Sequence, residues 1–187
     1  MEVHIIRHTP VNFDKNRCYG QLDVPLADSF DEDVKIINEF LSDDYDAVYC
    51  SPKKRCTQLA EALALTTIAI DERLLELNFG EWEGKLWNEI DQADLNAWME
   101  NFVNVAPTKG ESLQEMYARV ENFVDALRNE SFEKVLIISH AGVIRCFWAY
   151  FLEIPLKNIF RIPVKFHEHF IFNLGTDKVL DAVINLK

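Results

Sequence analysis

Two histidines and two arginines stand where three short apolar runs end. Val3, Ile5 and Ile6 lead into Arg7-His8, and Ala47-Val-Tyr-Cys50 leads through Ser51-Pro52 to Arg55. Lys134-Val-Leu-Ile-Ile-Ser139 ends in His140. Such runs read as strands buried on both faces, as in a covered parallel sheet. In open α/β sheets ligands bind at the C-terminal strand edge, so the four side chains can converge on one anion. A guanidinium presents a planar fork of donors suited to phosphate, and an imidazole can act as nucleophile or base. Ser139-His-Ala-Gly142 also opens a helix whose small residues let a ligand oxygen approach backbone N–H groups. Singly, each residue has an ordinary reading as a solvated strand end or a satisfied cap. Repetition at one edge points to a phosphate site.

The rest of the chain supplies elements to hold these groups. An irregular segment, residues 9–28, contains Pro10, Gly20 and Pro25. Ser29 and Glu32 have capping-box spacing ahead of Val34, Ile37 and Leu41. Ser51-Pro52 reads as cap and first-turn position of a helix with Cys56, Leu59, Ala60 and Leu63 on its apolar face. Thr67-Ile-Ala-Ile70 is a third strand, followed by the loop Leu74-Leu-Glu-Leu-Asn-Phe-Gly-Glu-Trp-Glu-Gly84. Residues 85–105 read as helical, with Trp87, Ile90, Trp98 and Phe102 along one side. A second capping box, Ser112 and Glu115, precedes the stripe Leu113, Met116, Tyr117, Val120, Phe123, Val124 and Leu127. Val143, Ile144, Phe147, Trp148 and Phe151 mark a helix after His140. Two runs, His167 to Leu174 and Val179 to Leu186, suggest a hairpin around Gly175-Thr-Asp177. Strands alternating with helices predict an α/β fold, a three-layer sandwich on a mainly parallel central sheet, as one domain over 1–187.

Composition narrows the partners. An apolar share of 49% with 27% charged residues is ordinary for a globular protein. The formal charge of −12 opposes nucleic-acid backbones and anionic lipid, so attraction for a phosphate must come from local arginines. No stretch reaches the roughly 18–20 apolar residues of a membrane span, and Met-Glu-Val-His lacks the basic start of a secretory signal. Cys18, Cys50, Cys56 and Cys146 have no C-x-x-C spacing, which predicts reduced, packed thiols and a cytoplasmic protein.

Taken together, Arg7-His8, Ser51-Pro-Lys-Lys-Arg55, Leu75-Glu-Leu-Asn-Phe-Gly-Glu-Trp-Glu-Gly84, Gly110-Glu-Ser112 and Ser139-His140 resemble the histidine phosphatase, or phosphoglycerate mutase-like, superfamily. The likeness spans residues 1 to about 150. Cys18-Tyr-Gly-Gln-Leu-Asp-Val-Pro-Leu26 and the Glu76-containing loop look most like the α-ribazole phosphatases. The resemblance implies a phosphoglycerate mutase-like fold with a small helical cap over 85–109, and a cofactor-independent enzyme without metal. His8 would be the nucleophile, with Arg7, Arg55 and His140 binding the phosphoryl oxygens. Glu76 would be the general acid and then the base, its pKa raised beside a dianion, with Glu81 its rival and Glu83 a weaker one. Asn12, Gln21 and Glu81 are further candidates for substrate contact. The implied substrate is a small nucleoside-like or sugar monophosphate, with α-ribazole 5′-phosphate leading; a homodimer stays open.

The chain departs from the family after the Arg-His pair, where Thr9-Pro10 replaces Gly-Glu. Thr9 still offers a hydroxyl, whereas Pro10 removes a backbone donor. Asp14 stands where many members have asparagine, so Asn12 substitutes or that contact is missing. Other readings are weaker. Cys50 and Arg55 are separated by four residues, one too few for the Cys-x5-Arg cradle. Asp44-Tyr-Asp46 precedes a strand instead of following the first one. His167-Glu-His169 would put two imidazoles on one strand face, as a metal site needs, but no third ligand is obvious. Phosphoglycerate mutase-type transfer and a non-catalytic phosphate-binding module are the remaining alternatives. Trp87, Trp98 and Phe102 suit either core packing or stacking on a heteroaromatic base.

Overall fold

The computed structural model describes residues 1–42 and 44–186, for 185 and 186 the backbone alone. Strand β1 (Glu2–Arg7) runs through the middle of a six-stranded sheet. It pairs in parallel with β4 (Lys134–Ser139), which pairs in parallel with β2 (Ala47–Cys50), and β2 with β3 (Ile68–Ile70). On the other side β5 (His169–Asn173) is antiparallel to β1, and β6 (Ala182–Leu186) is antiparallel to β5. The order β3-β2-β4-β1-β5-β6 keeps the first four strands parallel, so their C-terminal ends share one edge.

Alternation along β1 and β4 splits the core in two. Val3, Ile5, Val135 and Ile137 face the cluster under α4 (Leu113–Arg128) and α5 (Ala141–Leu152). Ile6, Leu136 and Ile138 face the cluster under α1 (Phe30–Asn38) and α2 (Lys54–Ala62). Helices on both faces of the sheet make the expected three-layer sandwich. The stripe of α4 is buried from Leu113 to Leu127 except at half-buried Tyr117. Ser112 and Glu115 form the capping box reciprocally, through Glu115 N–H to Ser112 Oγ and Ser112 N–H to Glu115 Oε2.

Several boundaries fall elsewhere than the sequence suggests. Ser29 makes no cap bond to the backbone; its hydroxyl donates to Asp33 Oδ2 while Glu32 turns outward to Lys35. Ser51-Pro52 does not start α2, which begins at Lys54 behind an extended Lys53; Ser51 Oγ meets His140 Nε2 at 2.7 Å and accepts from Lys53 N–H only at 3.5 Å. Arg55 nevertheless remains in the first turn. Thr67 adopts φ +56°, which delays β3 to Ile68. The expected helix over 85–105 breaks into a 3-10 turn, Trp87–Glu89, and α3 (Gln92–Glu100). Asp91, whose carboxylate accepts from Ala93 and Asp94 N–H, caps α3 and sets that break. The hairpin forms with a 3-10 turn, Lys178–Leu180, inside its connection. No helix among the described residues is long and apolar enough to cross a membrane.

Candidate active site

Register brings the two histidines together. Arg7 pairs with Ser139 across β1 and β4, so the residues that follow, His8 and His140, leave the sheet side by side. Their ring centroids lie 5.2 Å apart, and His8 N–H donates to Ser139 O at 2.9 Å. Cys50 pairs with Ile138, which puts Ser51 beside them; its Oγ lies 2.7 Å from His140 Nε2. Arg55, in the first turn of α2, donates from Nε to His140 Nδ1 at 3.2 Å. Arg55 is 1% exposed. A guanidinium so buried costs several kcal/mol unless partnered, and its Nη groups donate to Gly20 O and Leu22 O.

These contacts assign the protons. His8 Nδ1 donates to Thr9 O at 2.7 Å, leaving Nε2 as a bare lone pair. Arg55 Nε is always a donor, so His140 Nδ1 accepts and its Nε2–H donates to Ser51 Oγ. Burial, reinforced by Arg55 and Arg7, holds His8 well below the usual imidazole range, with the Thr9 bond opposing. Burial and Arg55 hold His140 low in the same way, with His8 adding to it. Both rings are neutral near pH 7. In the unfolded chain they titrate near 6.5, so below about pH 6.5 the unfolded state binds protons that the folded state refuses. The stability these rings confer is complete above that pH and is lost as pH falls. The urea midpoint is expected to be lower at about pH 5 than at about pH 7.5, with a smaller drop in His8→Asn. Equal drops in both proteins would assign the acid effect to other groups.

Arg7 stacks 3.8 Å above the Phe166 ring and donates from Nη1 to Val164 O. Glu76 accepts from Leu77 N–H and, at 3.1 Å, from Gly142 N–H, two residues past His140. A Cβ on Gly142 would come within 2.1 Å of Glu76 Oε1, so only glycine permits this approach. Glu76 also lies close enough to Arg7 to raise that guanidinium's pKa, against the larger effect of burial. Beside it opens a cavity lined by Tyr19, Leu77, Phe79, Met116, Phe160 and Arg145.

Arg7, His8, Arg55, His140 and Glu76 are thus gathered at one edge. Gln21 joins them indirectly, donating from Nε2 to Glu76 O. Glu81 does not: it is exposed and ion-paired with Lys109 at 2.6 Å, which lowers its pKa. Asn12 is exposed next to a bridge between Val11 and Leu26, and its N–H donates to Pro25 O. Asp14 turns away to Asn16 and Arg17. Thr9 is buried, and its hydroxyl has no hydrogen-bond partner among the described residues. His167 and His169 separate, the first to Asp33 and the second to His4, because His167 takes φ +61° ahead of β5. Trp87 and Trp98 pack edge-on against Phe79, and Phe102 against Phe160, so the cap aromatics brace the cavity wall instead of lining it. Ser51, Phe166 and Arg145 were missed as site residues; Ser51 resembles a helix cap, and no local signal marks the other two.

A parallel edge carrying two neutral histidines among arginines, with a carboxylate alongside, has the donors and the nucleophile that phosphoryl transfer requires. Residues 3–181 match the family model of the histidine phosphatase superfamily (branch 1), and the chain belongs to that superfamily. The phosphoserine phosphatase 1 of Hydrogenobacter thermophilus is 29% identical over 164 residues, covering 82% of this chain and 77% of the relative. The adenosylcobalamin/alpha-ribazole phosphatase of Salmonella typhimurium is 27% identical over 175 residues, covering 88% and 86%. The crystal structure of the alpha-ribazole phosphatase from Shigella flexneri superposes with a TM-score of 0.89 at 25% identity, covering 100% of this chain and 96% of that one. The protein is a phosphatase.

Proposed function

We propose that the protein hydrolyses a small phosphate monoester through a phosphorylated His8. The observation that carries this is the fully buried His8 ring, with Nδ1 locked to Thr9 O and Nε2 free to attack. Nε2 attacks phosphorus in line while Arg7 and Arg55 bind the non-bridging oxygens, whose charge spreads in the transition state. His140, its ring 5.2 Å from that of His8, accepts Arg55 Nε–H at Nδ1 and so orients that guanidinium for the phosphoryl oxygens. Glu76, as the acid, gives its proton to the leaving oxygen as the P–O bond breaks. As carboxylate it then takes a proton from the water that attacks the phosphohistidine. The P–N bond breaks, inorganic phosphate leaves, and His8 and the Glu76 acid are restored.

The favoured substrate is α-ribazole 5′-phosphate, a nucleoside-like monoester. The cavity beside Glu76 supports it: its wall carries aromatic faces, Phe79, Phe160 and Tyr19, suited to a flat base. Arg145, 5.6 Å above the Phe160 ring and fixed through Nε to Ile162 O, offers its remaining donors to a lone pair on that base. A phosphoserine ammonium would find Glu76 as the carboxylate in that wall, and Glu76 is needed for proton transfer. Each tenfold preference corresponds to about 1.4 kcal/mol of transition-state binding. Across a panel of monoesters, kcat/KM for α-ribazole 5′-phosphate is expected to exceed that for phosphoserine by at least about 10-fold. The reverse order would assign the cavity to the amino acid.

A further inference from the structure

We propose that Glu83 is a positioning residue that holds Arg55 in place by gathering the backbone of residues 20–22. The inference rests on the reading above in which Arg55 binds the phosphoryl group. In the sequence Glu83 looks like a solvated loop carboxylate or a weak rival acid. In the structure its Oε2 accepts from Gly20 N–H at 3.0 Å and Leu22 N–H at 2.9 Å. Its Oε1 accepts from Gln21 N–H at 2.8 Å and Phe79 N–H at 3.1 Å. Four backbone donors meet on one carboxylate, two on each oxygen, and bonds to an ionised acceptor are about twice as strong as neutral ones.

Two of these three residues, Gly20 and Leu22, hold the guanidinium from the other side. Arg55 Nη1 donates to Leu22 O at 2.9 Å and Nη2 to Gly20 O. The N–H groups of residues 20 and 22 therefore go to Glu83 while their carbonyls go to Arg55. No ion pair joins the two side chains among the described residues. The turn between them is pressed onto the Glu76 loop. A Cβ on Gly20 would fall within 1.8 Å of Leu77 O. Gly84 N–H donates to Cys18 O at 2.8 Å. If Glu83 releases the turn, the carbonyls of residues 20 and 22 move and Arg55 moves with them. A displacement of about 1 Å at a group binding the transferred phosphoryl costs on the order of 10²-fold.

Glu83→Gln tests this, because its amide nitrogen would face two backbone donors. It is expected to lower kcat/KM by about 10- to 100-fold for every monoester, whatever the leaving group, since the phosphate end is disturbed. In an Arg55→Ala background the same substitution is expected to add less than about 3-fold, because its effect passes through the missing side chain. Glu83→Asp keeps the charge but is one methylene shorter, and gives a smaller loss with the same collapse in that background if the glutamine variant fails to fold. Equal losses in both backgrounds, or an unchanged kcat/KM in Glu83→Gln, would overturn the proposal. An Arg55→Ala enzyme with unchanged kcat/KM would instead overturn the phosphate-binding role on which the proposal rests.

Discussion

Phosphate release from an aryl phosphate is expected to fall by on the order of 10⁴-fold or more when His8 is replaced with alanine, with the fold retained. The size follows from what is removed: the atom proposed to form the covalent bond, with no neighbour among the described residues able to stand in. His140 is 5.2 Å away ring to ring, but its Nδ1 accepts from Arg55 and its Nε2–H faces Ser51, so neither nitrogen is a free lone pair. Quenching the wild-type reaction with labelled substrate should trap phosphate on His8 as an acid-labile adduct. A fast enzyme that never carries this adduct would exclude the covalent route. Activity retained in the alanine variant would return the chain to a phosphate-binding module with a different catalytic centre.

The second large effect is expected at Glu76. Glu76→Gln keeps the contact to Gly142 N–H through its amide oxygen but can neither give up nor accept the transferred proton. Turnover of an alkyl phosphate should slow by about 10²-fold or more with little change in substrate affinity, because the lost interaction exists only in the transition state. An aryl phosphate with an acidic phenol separates the two half-reactions, since that phenolate leaves without protonation. A rapid burst of phenol should persist while steady-state turnover falls, as attack of water on the phosphohistidine still lacks its base. Wild-type turnover in this variant would move the acid to Glu81. Glu81 is exposed and bound to Lys109, which holds its carboxyl below the usual range and suits it poorly to donating a proton.

Legibility in the sequence tracked how local each signal was. The buried strands announced themselves as short β-branched runs with loaded ends, and the helix after Ser112 by its stripe and capping box, because burial and capping act over a few residues. Ser29 and Ser51 show the limit. Both have the spacing of a cap, yet each hydroxyl is claimed by a partner, Asp33 in one case and His140 in the other, whose competing bond cannot be weighed from the local pattern. The expected helix over 85–105 was cut by Asp91 for the same reason, a side chain bonding its own backbone two and three residues on.

The site divides along the same line. The order and chemistry of Arg7, His8, Arg55 and His140 were legible in residue types at and just past strand ends, and Glu76 in the loop motif that carries the family resemblance; none of these needed coordinates to be read. Tertiary structure alone decided which nitrogen of His8 is bare, that Glu81 and Asn12 lie outside the cluster, that the cap aromatics brace the cavity, and that Glu83 ties down a turn some sixty residues away in the chain. Each of these depends on which polar groups meet after the chain has closed. A hydrogen bond between distant residues leaves no periodicity or spacing behind, whereas a buried strand or an amphipathic helix writes its period into the chain.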